Sequence, residues 1–201
     1  NGETHVGTVL IDPATGQIDP SWTLQARTGT NGGRVSVKSI KIINNHIYLG
    51  GIFTHFQGNG ASWTYARNGA RLDINGKPDR TWNPEFNGTV IDIDVDENET
   101  YYYAAGYFTR AHNRVVENAG RLSTAAGAEL DQSWTFRHSY LIGKYQQTVT
   151  AAHGRVYFGG SQHSLFGYNS DSMTRTSGSI TMNNGGDLQA STRSATGVVY
   201  A

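Results

Sequence analysis

Ile47-Tyr48-Leu49-Gly50-Gly51-Ile52-Phe53-Thr54 decides the fold of this chain, because the stretch does not occur only once. It returns as Tyr102-Tyr103-Ala104-Ala105-Gly106-Tyr107-Phe108-Thr109 and again as Val156-Tyr157-Phe158-Gly159-Gly160. A last stub stands at Val199-Tyr200-Ala201. Two further signatures keep step with it. Asp19-Pro20-Ser21-Trp22, Asp79-Arg80-Thr81-Trp82 and Asp131-Gln132-Ser133-Trp134 share one pattern, an Asp and a Trp three residues apart with Ser or Thr between them. Ala70-Arg71-Leu72 and Gly120-Arg121-Leu122 precede the last two of these. Three signatures in a fixed order mark an internal repeat, and a period near fifty residues is that of a repeat architecture.

Each unit parses into four short strands. The first alternates, as in Val35 to Ile43 and Val90-Ile91-Asp92-Ile93-Asp94-Val95. The second is the Tyr-Gly-Gly element, and the third is the Arg-Leu element, with Ser164 to Tyr168 in its place in the third copy. The fourth runs into the tryptophan. Period-two alternation bounded by Asn, Gly and Asp clusters is the strand signal, and no helical period competes with it. The predicted fold class is therefore all-β, a β-propeller of four-stranded antiparallel blades. The repeats fall at about 6–22, 35–82, 89–134, 148–182 and 187–201, within one segment spanning 1–201. Strands three and four open the chain and strands one and two end it. In principle the two halves could pair with each other and close a four-bladed ring; the expectation is a partial propeller of about four blades, cut from a longer chain.

These same elements, Tyr-x-Gly-Gly-x-Phe-Thr, Arg-Leu-Asp and the Trp motif, resemble the delta-sixty repeat, a bacterial β-propeller family found in large exported and surface proteins. The likeness runs from about Val6 to Ala201. It implies the propeller fold and an extracellular or cell-surface setting, and says almost nothing about activity. The sequence departs from the pattern at Gln162-His163, where Phe-Thr would stand, and after Thr181, where the tryptophan is lost.

Composition narrows the function classes. Lys plus Arg and Asp plus Glu are 16 each, so net charge points to neither nucleic acid nor a membrane surface. No apolar run reaches the ~18 residues of a membrane span. Cysteine is absent, which removes disulfides, thiolate metal sites and cysteine nucleophiles. The chain opens Asn1-Gly2-Glu3 without Met or a leader, and is expected to be processed or partial. The sequons at Asn87 and Asn98 are read as chance, since Asn and Thr are plentiful here.

Asp92, Asp94 and Asp96 lack the glycine and the distal glutamate of an EF-hand loop, and alternation puts Asp92 and Asp94 on one strand face. A lining of the central channel, with a Lys41–Asp94 pair, is expected there instead of a metal. The seven histidines show no zinc spacing, and no nucleophile elbow or phosphate loop is present. Glu85, Glu117 and Glu129 are candidate carboxylates for glycan cleavage, without support from spacing. The Trp of each Asp-to-Trp motif is expected to pack between sheets, its Asp capping turn amides.

Loop lengths carry the functional expectation. Connections between strands two and three, and between one blade and the next, are long at Thr23 to Arg34, His55 to Arg67, Arg110 to Glu117 and Thr135 to Gln147. Strand parity places all of them at one end of the blades, and insertions gathered at one end mark a binding face. Arg27, Arg34, Arg67, Arg110, Arg114, Arg137 and Lys144 make that end basic against Glu85 and Glu117. Trp63, Tyr65, Arg67, Arg110, Arg114 and Tyr140 are the expected contacts. The partner is expected to be a protein, an acidic polysaccharide or another copy of the chain, with no cofactor, metal, nucleic acid or membrane insertion. A structural subunit of a surface layer or filament, or less readily a glycan-cleaving enzyme, are the competing readings.

Overall fold

The computed structural model describes residues 5–29, 33–58, 60–136, 144–176, 180–181 and 186–201. Among them there is no helix. The strands in chain order are β1 (Gln25–Arg27), β2 (Ser36–Ile43), β3 (His46–Ile52), β4 (His55–Gln57), β5 (Thr64–Tyr65), β6 (Gly69–Asp73), β7 (Val90–Val95), β8 (Tyr101–Gly106), β9 (Arg110–Ala111), β10 (Arg114–Val115), β11 (Ala119–Ser123), β12 (Gln146–Ala152), β13 (Arg155–Gly160), β14 (Ser164–Asn169), β15 (Ile180–Thr181), β16 (Thr192–Arg193) and β17 (Val199–Tyr200).

Three antiparallel sheets repeat one another: β2-β3-β6, β7-β8-β11 and β12-β13-β14-β15, here called blades 1, 2 and 3. Their registers coincide. Tyr48 pairs with Lys41 and Arg71, Tyr103 with Asp94 and Arg121, and Tyr157 with Thr150 and Gly167. Tyr200, opposite Thr192 on β16, holds the same place in the last pair. Each first strand bulges at one equivalent point, between Val37 and Ser39, Val90 and Asp92, and Gln146 and Thr148. This explains the last glycine of each Gly-Gly or Ala-Gly element. A Cβ on Gly51, Gly106 or Gly160 would overlap the backbone carbonyl of Ser36, Thr89 or Tyr145, so the bulge demands glycine opposite it.

First strands are innermost and lie side by side, β2 beside β7, β7 beside β12 and β12 beside β16. The apolar core is divided accordingly into clusters between sheets. One between blades 1 and 2 holds Tyr48, Trp82, Phe86, Ile93, Tyr102 and Phe108, and one between blades 2 and 3 holds Tyr103, Phe136, Val149, Phe158 and Phe166. A third lies where Leu24 and Ala26 meet Leu49, Phe53 and Leu72 of blade 1.

The fourth strand differs from expectation. In blades 1 and 2 it shrinks to single bridges, Leu72 to Pro78 and Leu122 to Leu130, and the tryptophan lies beyond it, where the chain crosses to the next blade. The Asp-to-Trp motif is the cause. Oδ1 of Asp19, Asp79 and Asp131 accepts the amide and hydroxyl hydrogens of Ser21, Thr81 and Ser133 at 2.6–2.9 Å, which turns the chain out of the ladder. Blade 3 has no such motif at its end, and only there does a fourth strand, β15, pair with β14.

Candidate binding surface

Among the described residues, connections within and between blades meet at one end, as strand parity requires. The link β1 pairs with β4 of blade 1, and Asn87 Oδ1 accepts the amide hydrogens of Thr109 and Arg110 at 2.8 Å each. The two insertions then behave differently. In blade 1, β4 runs alongside β1 back toward the opposite turns, so that Gly58 abuts the Gly76 carbonyl and Leu24. The chain returns through β5. This insertion is therefore a second layer on the outer edge of the blade rather than a projection from its end.

Trp63 sits half-buried near the far end of that hairpin, with the Arg27 guanidinium 4.3 Å above its ring. The two residues, with His5, Trp22 and Gln25, line a groove of about 680 Å³. Tyr65 is exposed and meets His55 edge-on at 5.3 Å. Burial, then the charge of Arg27, holds the His55 imidazole below its usual range. Arg67 is half-buried, its amide donating to Asn83 Oδ1 at 3.0 Å.

In blade 2 the insertion is the short hairpin β9-β10, which stays at the loop end. Its inner side is anchored: Ala111 and Val116 belong to the core between blades 1 and 2. Its outer side presents Arg110, Arg114 and Val115, all exposed. Arg110 donates to the Asn113 carbonyl at 2.8 Å, which holds the guanidinium over the hairpin turn. The expected six residues are thus divided. Arg110 and Arg114 share one hairpin, Trp63 and Tyr65 another, and Tyr140 lies outside the described residues.

Two residues that the loop argument passed over stand beside the blade 2 hairpin. Tyr107 and Val115 are 51% and 64% exposed, among the large apolar side chains most open to water. Tyr107 approaches Tyr145 at 5.2 Å between ring centres. Tyr145 in turn donates to the Asp187 carboxylate, a bond that pushes its phenol up to about 12. Tyr107 was visible as the outward member of Gly-Tyr-Phe-Thr, flanked by a glycine and a phenylalanine whose places are fixed by packing.

The carboxylates of the inner strands bind neighbouring blades. Asp92 accepts from the Ser39 hydroxyl at 2.8 Å on one side and from the Val149 amide at 2.9 Å on the other. Asp94 pairs with Lys41 at 2.5 Å and accepts the Ala151 amide at 2.8 Å. Burial pushes the Asp92 carboxyl up despite these donors. With Ser191 and Arg193 these groups line an axial cavity of about 410 Å³. Both acids are thus engaged blade to blade, and among the described residues no three His, Cys, Asp or Glu side chains are grouped to hold a metal ion.

A second set of bonds repeats near the opposite turns. Arg71 and Arg121 grip Oδ2 of Asp79 and Asp131 with two nitrogens at 2.5–2.9 Å, and each sends its remaining nitrogen to carbonyls of the next blade, at Thr124 and at Ser170 with Asp171. Burial opposes both carboxylates, but the Thr81 and Ser133 donors, then the arginines, hold them below the usual range. The Arg-Leu and Asp-to-Trp signatures are therefore two halves of one clamp between blades.

Comparison with solved structures places this arrangement. The chain superposes on the WD40 repeats of RRP9 with a TM-score of 0.53 at 9% identity, covering 84% of this chain and 46% of that one. This is a β-propeller fold. U3-55K gives a TM-score of 0.55 at 7% identity, with 84% and 45% covered, and the computationally designed Ika8 protein 0.50 at 9%, with 90% and 44% covered. The propeller chain spans a little under half the length of each of these structures. No family model matches the sequence, and no curated protein matches it.

Proposed function

We propose that the chain is a non-catalytic propeller module of an extracellular or cell-surface protein, a partial ring of about four blades of the delta-sixty type. In this reading it binds a protein or acidic polysaccharide partner at its loop end. The observation that carries the reading is the β9-β10 hairpin. Ala111 and Val116 pin it to the core while Arg110, Arg114 and Val115 face water, with exposed Tyr107 alongside. A hairpin fixed on one side loses little further entropy when its other side is bound. Arginine forks match carboxylate and sulfate groups, and aromatic rings stack on sugar faces or on apolar side chains. Clustered arginine and tyrosine are the side chains that dominate interface energetics.

The test is titration of the chain with heparin, as a sulfated, uronate-bearing probe, across a range of salt. Binding that weakens with salt is expected, and Arg110→Ala with Arg114→Ala should lower affinity by about tenfold or more. Both side chains are exposed, so thermal stability should move by no more than ~0.5 kcal/mol. Retained affinity in the double variant, or an affinity loss that tracks unfolding, would remove the hairpin from the interface.

A further inference from the structure

The fold-back of the blade 1 insertion builds a groove at the turn end of that blade. β4 carries the chain there, so closely that a Cβ on Gly58 would overlap the Gly76 carbonyl. The hairpin tip at Gly60 to Ser62 therefore stands against the turn that follows β6. With His46 at the start of β3, the two bound a groove of about 670 Å³ whose walls all belong to blade 1 and its insertion. Lys77 and Arg80 line it and are exposed, and among the described residues neither side chain has a hydrogen bond or an ion pair. The acids beside them are partly committed. Asp79 gives Oδ1 to Thr81 and Oδ2 to Arg71. Asp73 Oδ1 accepts the Asn75 and Lys77 amide hydrogens at 2.9 Å each, which leaves its Oδ2 for a ligand. His46 Nδ1 meets the Glu99 carboxylate at 2.5 Å. With Nδ1 carrying the hydrogen of that bond, Nε2 of the neutral ring is an acceptor.

The repeat supplies its own comparison. The bridge and the amide bonds of each turn align Lys77 with Glu129 in blade 2, with Thr174 in blade 3 and with Gln17 in the hairpin closed by the Ile11–Ile18 bridge. By the same register Arg80 corresponds to Gln132 and to Pro20. Among these copies, both positions are cationic only in the turn over which the insertion folds back.

We infer that this groove binds a uronate-bearing sugar, its carboxylate held by Lys77 and Arg80 and its hydroxyls bonded to Asp73, His46 and Ser62. The volume lies within the ~300–1,000 Å³ of sites that take small organic ligands. A planar guanidinium matches a carboxylate with two parallel bonds, and the Lys77 ammonium adds a point charge beside it. Sugar hydroxyls need acceptors as well as donors on the wall. Asp73 Oδ2 and His46 Nε2 accept, and the Ser62 hydroxyl does either. A sulfate or phosphate presents acceptor oxygens on every side and would meet Asp73 as a like charge. The groove lies at the turn end, away from the β9-β10 hairpin, and stands or falls separately from partner binding there.

Digalacturonate, titrated into the chain and followed by amide chemical shifts, tests the groove. Shifts are expected in the Gly60–Ser62 tip and in the turn from Asp73 to Arg80. Lys77→Ala with Arg80→Ala should weaken binding about tenfold or more, the effect of losing charge-assisted bonds. The unfolding midpoint should stay where it is, because both side chains are exposed. Lactose, a neutral disaccharide, should leave these amides unmoved. Shifts confined to the β9-β10 hairpin, or undiminished affinity in the double variant, would overturn the proposal. So would inorganic sulfate or a tetraglutamate peptide that moves the same amides at equal affinity, since the groove would then read charge and not a sugar.

Discussion

Replacing Trp82 by alanine is expected to destabilise the chain by about 3–5 kcal/mol, the cost of emptying a large buried aromatic site. Trp82 is fully buried between blades 1 and 2, where it meets Tyr48 at 5.4 Å and Tyr102 at 4.9 Å, both edge-on. Its indole N–H donates to the Ser123 carbonyl of blade 2 at 3.0 Å. Alanine removes the ring contacts with both tyrosines and leaves that carbonyl without its donor, and neither neighbouring sheet can collapse into the gap without breaking its own register. Denaturant unfolding monitored by circular dichroism reads the change. Trp22→Ala, at the half-covered equivalent position, should cost distinctly less in the same assay.

Arg121→Ala is expected to fall in the same range, about 3–5 kcal/mol, for a different reason. The guanidinium is almost wholly buried and holds three partners at once, the Asp131 carboxylate and the Ser170 and Asp171 carbonyls of blade 3. Deleting it strands a carboxylate that burial already disfavours. For a chain of this size the midpoint of thermal unfolding should drop by roughly 10 °C. Arg121→Ala combined with Asp131→Ala should cost less than the two single changes together, because the unpaired charge is gone. Additive losses would mean that the two groups do not act as a pair. By contrast, the Arg193–Glu97 pair, with Glu97 half exposed, belongs to the class of surface bridges that contribute little.

The fold was legible because its constraints repeat. Tyr48, Tyr103 and Tyr157 share one register, and the glycine of each element is required by a bulge at the same point of each first strand. The Lys41–Asp94 pair was legible too, since period-two alternation fixes which side chains face the axis. The end of the fourth strand was misread because the Asp-to-Trp motif looks like strand sequence, while its Asp actually turns the backbone. The placement of the insertions was only partly legible. Length told that His55 to Arg67 is an insertion, but not that β4 would pair with β1 and carry Trp63 away from the loop end. That pairing is decided by backbone edges thirty residues apart, which leave no periodic trace in sequence. Gln162, where Phe stands in the other copies, is fully buried and bonded to Gln146 at 2.8 Å, so the third copy replaces an insertion with a tight turn.

Hydrogen exchange at the Val149 and Ala151 amides tests the blade arrangement most directly. Both N–H groups turn away from β13 and reach only the carboxylates of Asp92 and Asp94 on the neighbouring blade. Slow exchange at both positions, becoming fast when Asp92 and Asp94 are replaced by alanine while the Tyr157 and Phe158 region stays protected, is the predicted result. Fast exchange at both amides in the unaltered chain would mean that β7 and β12 do not stand side by side, and would contradict the propeller.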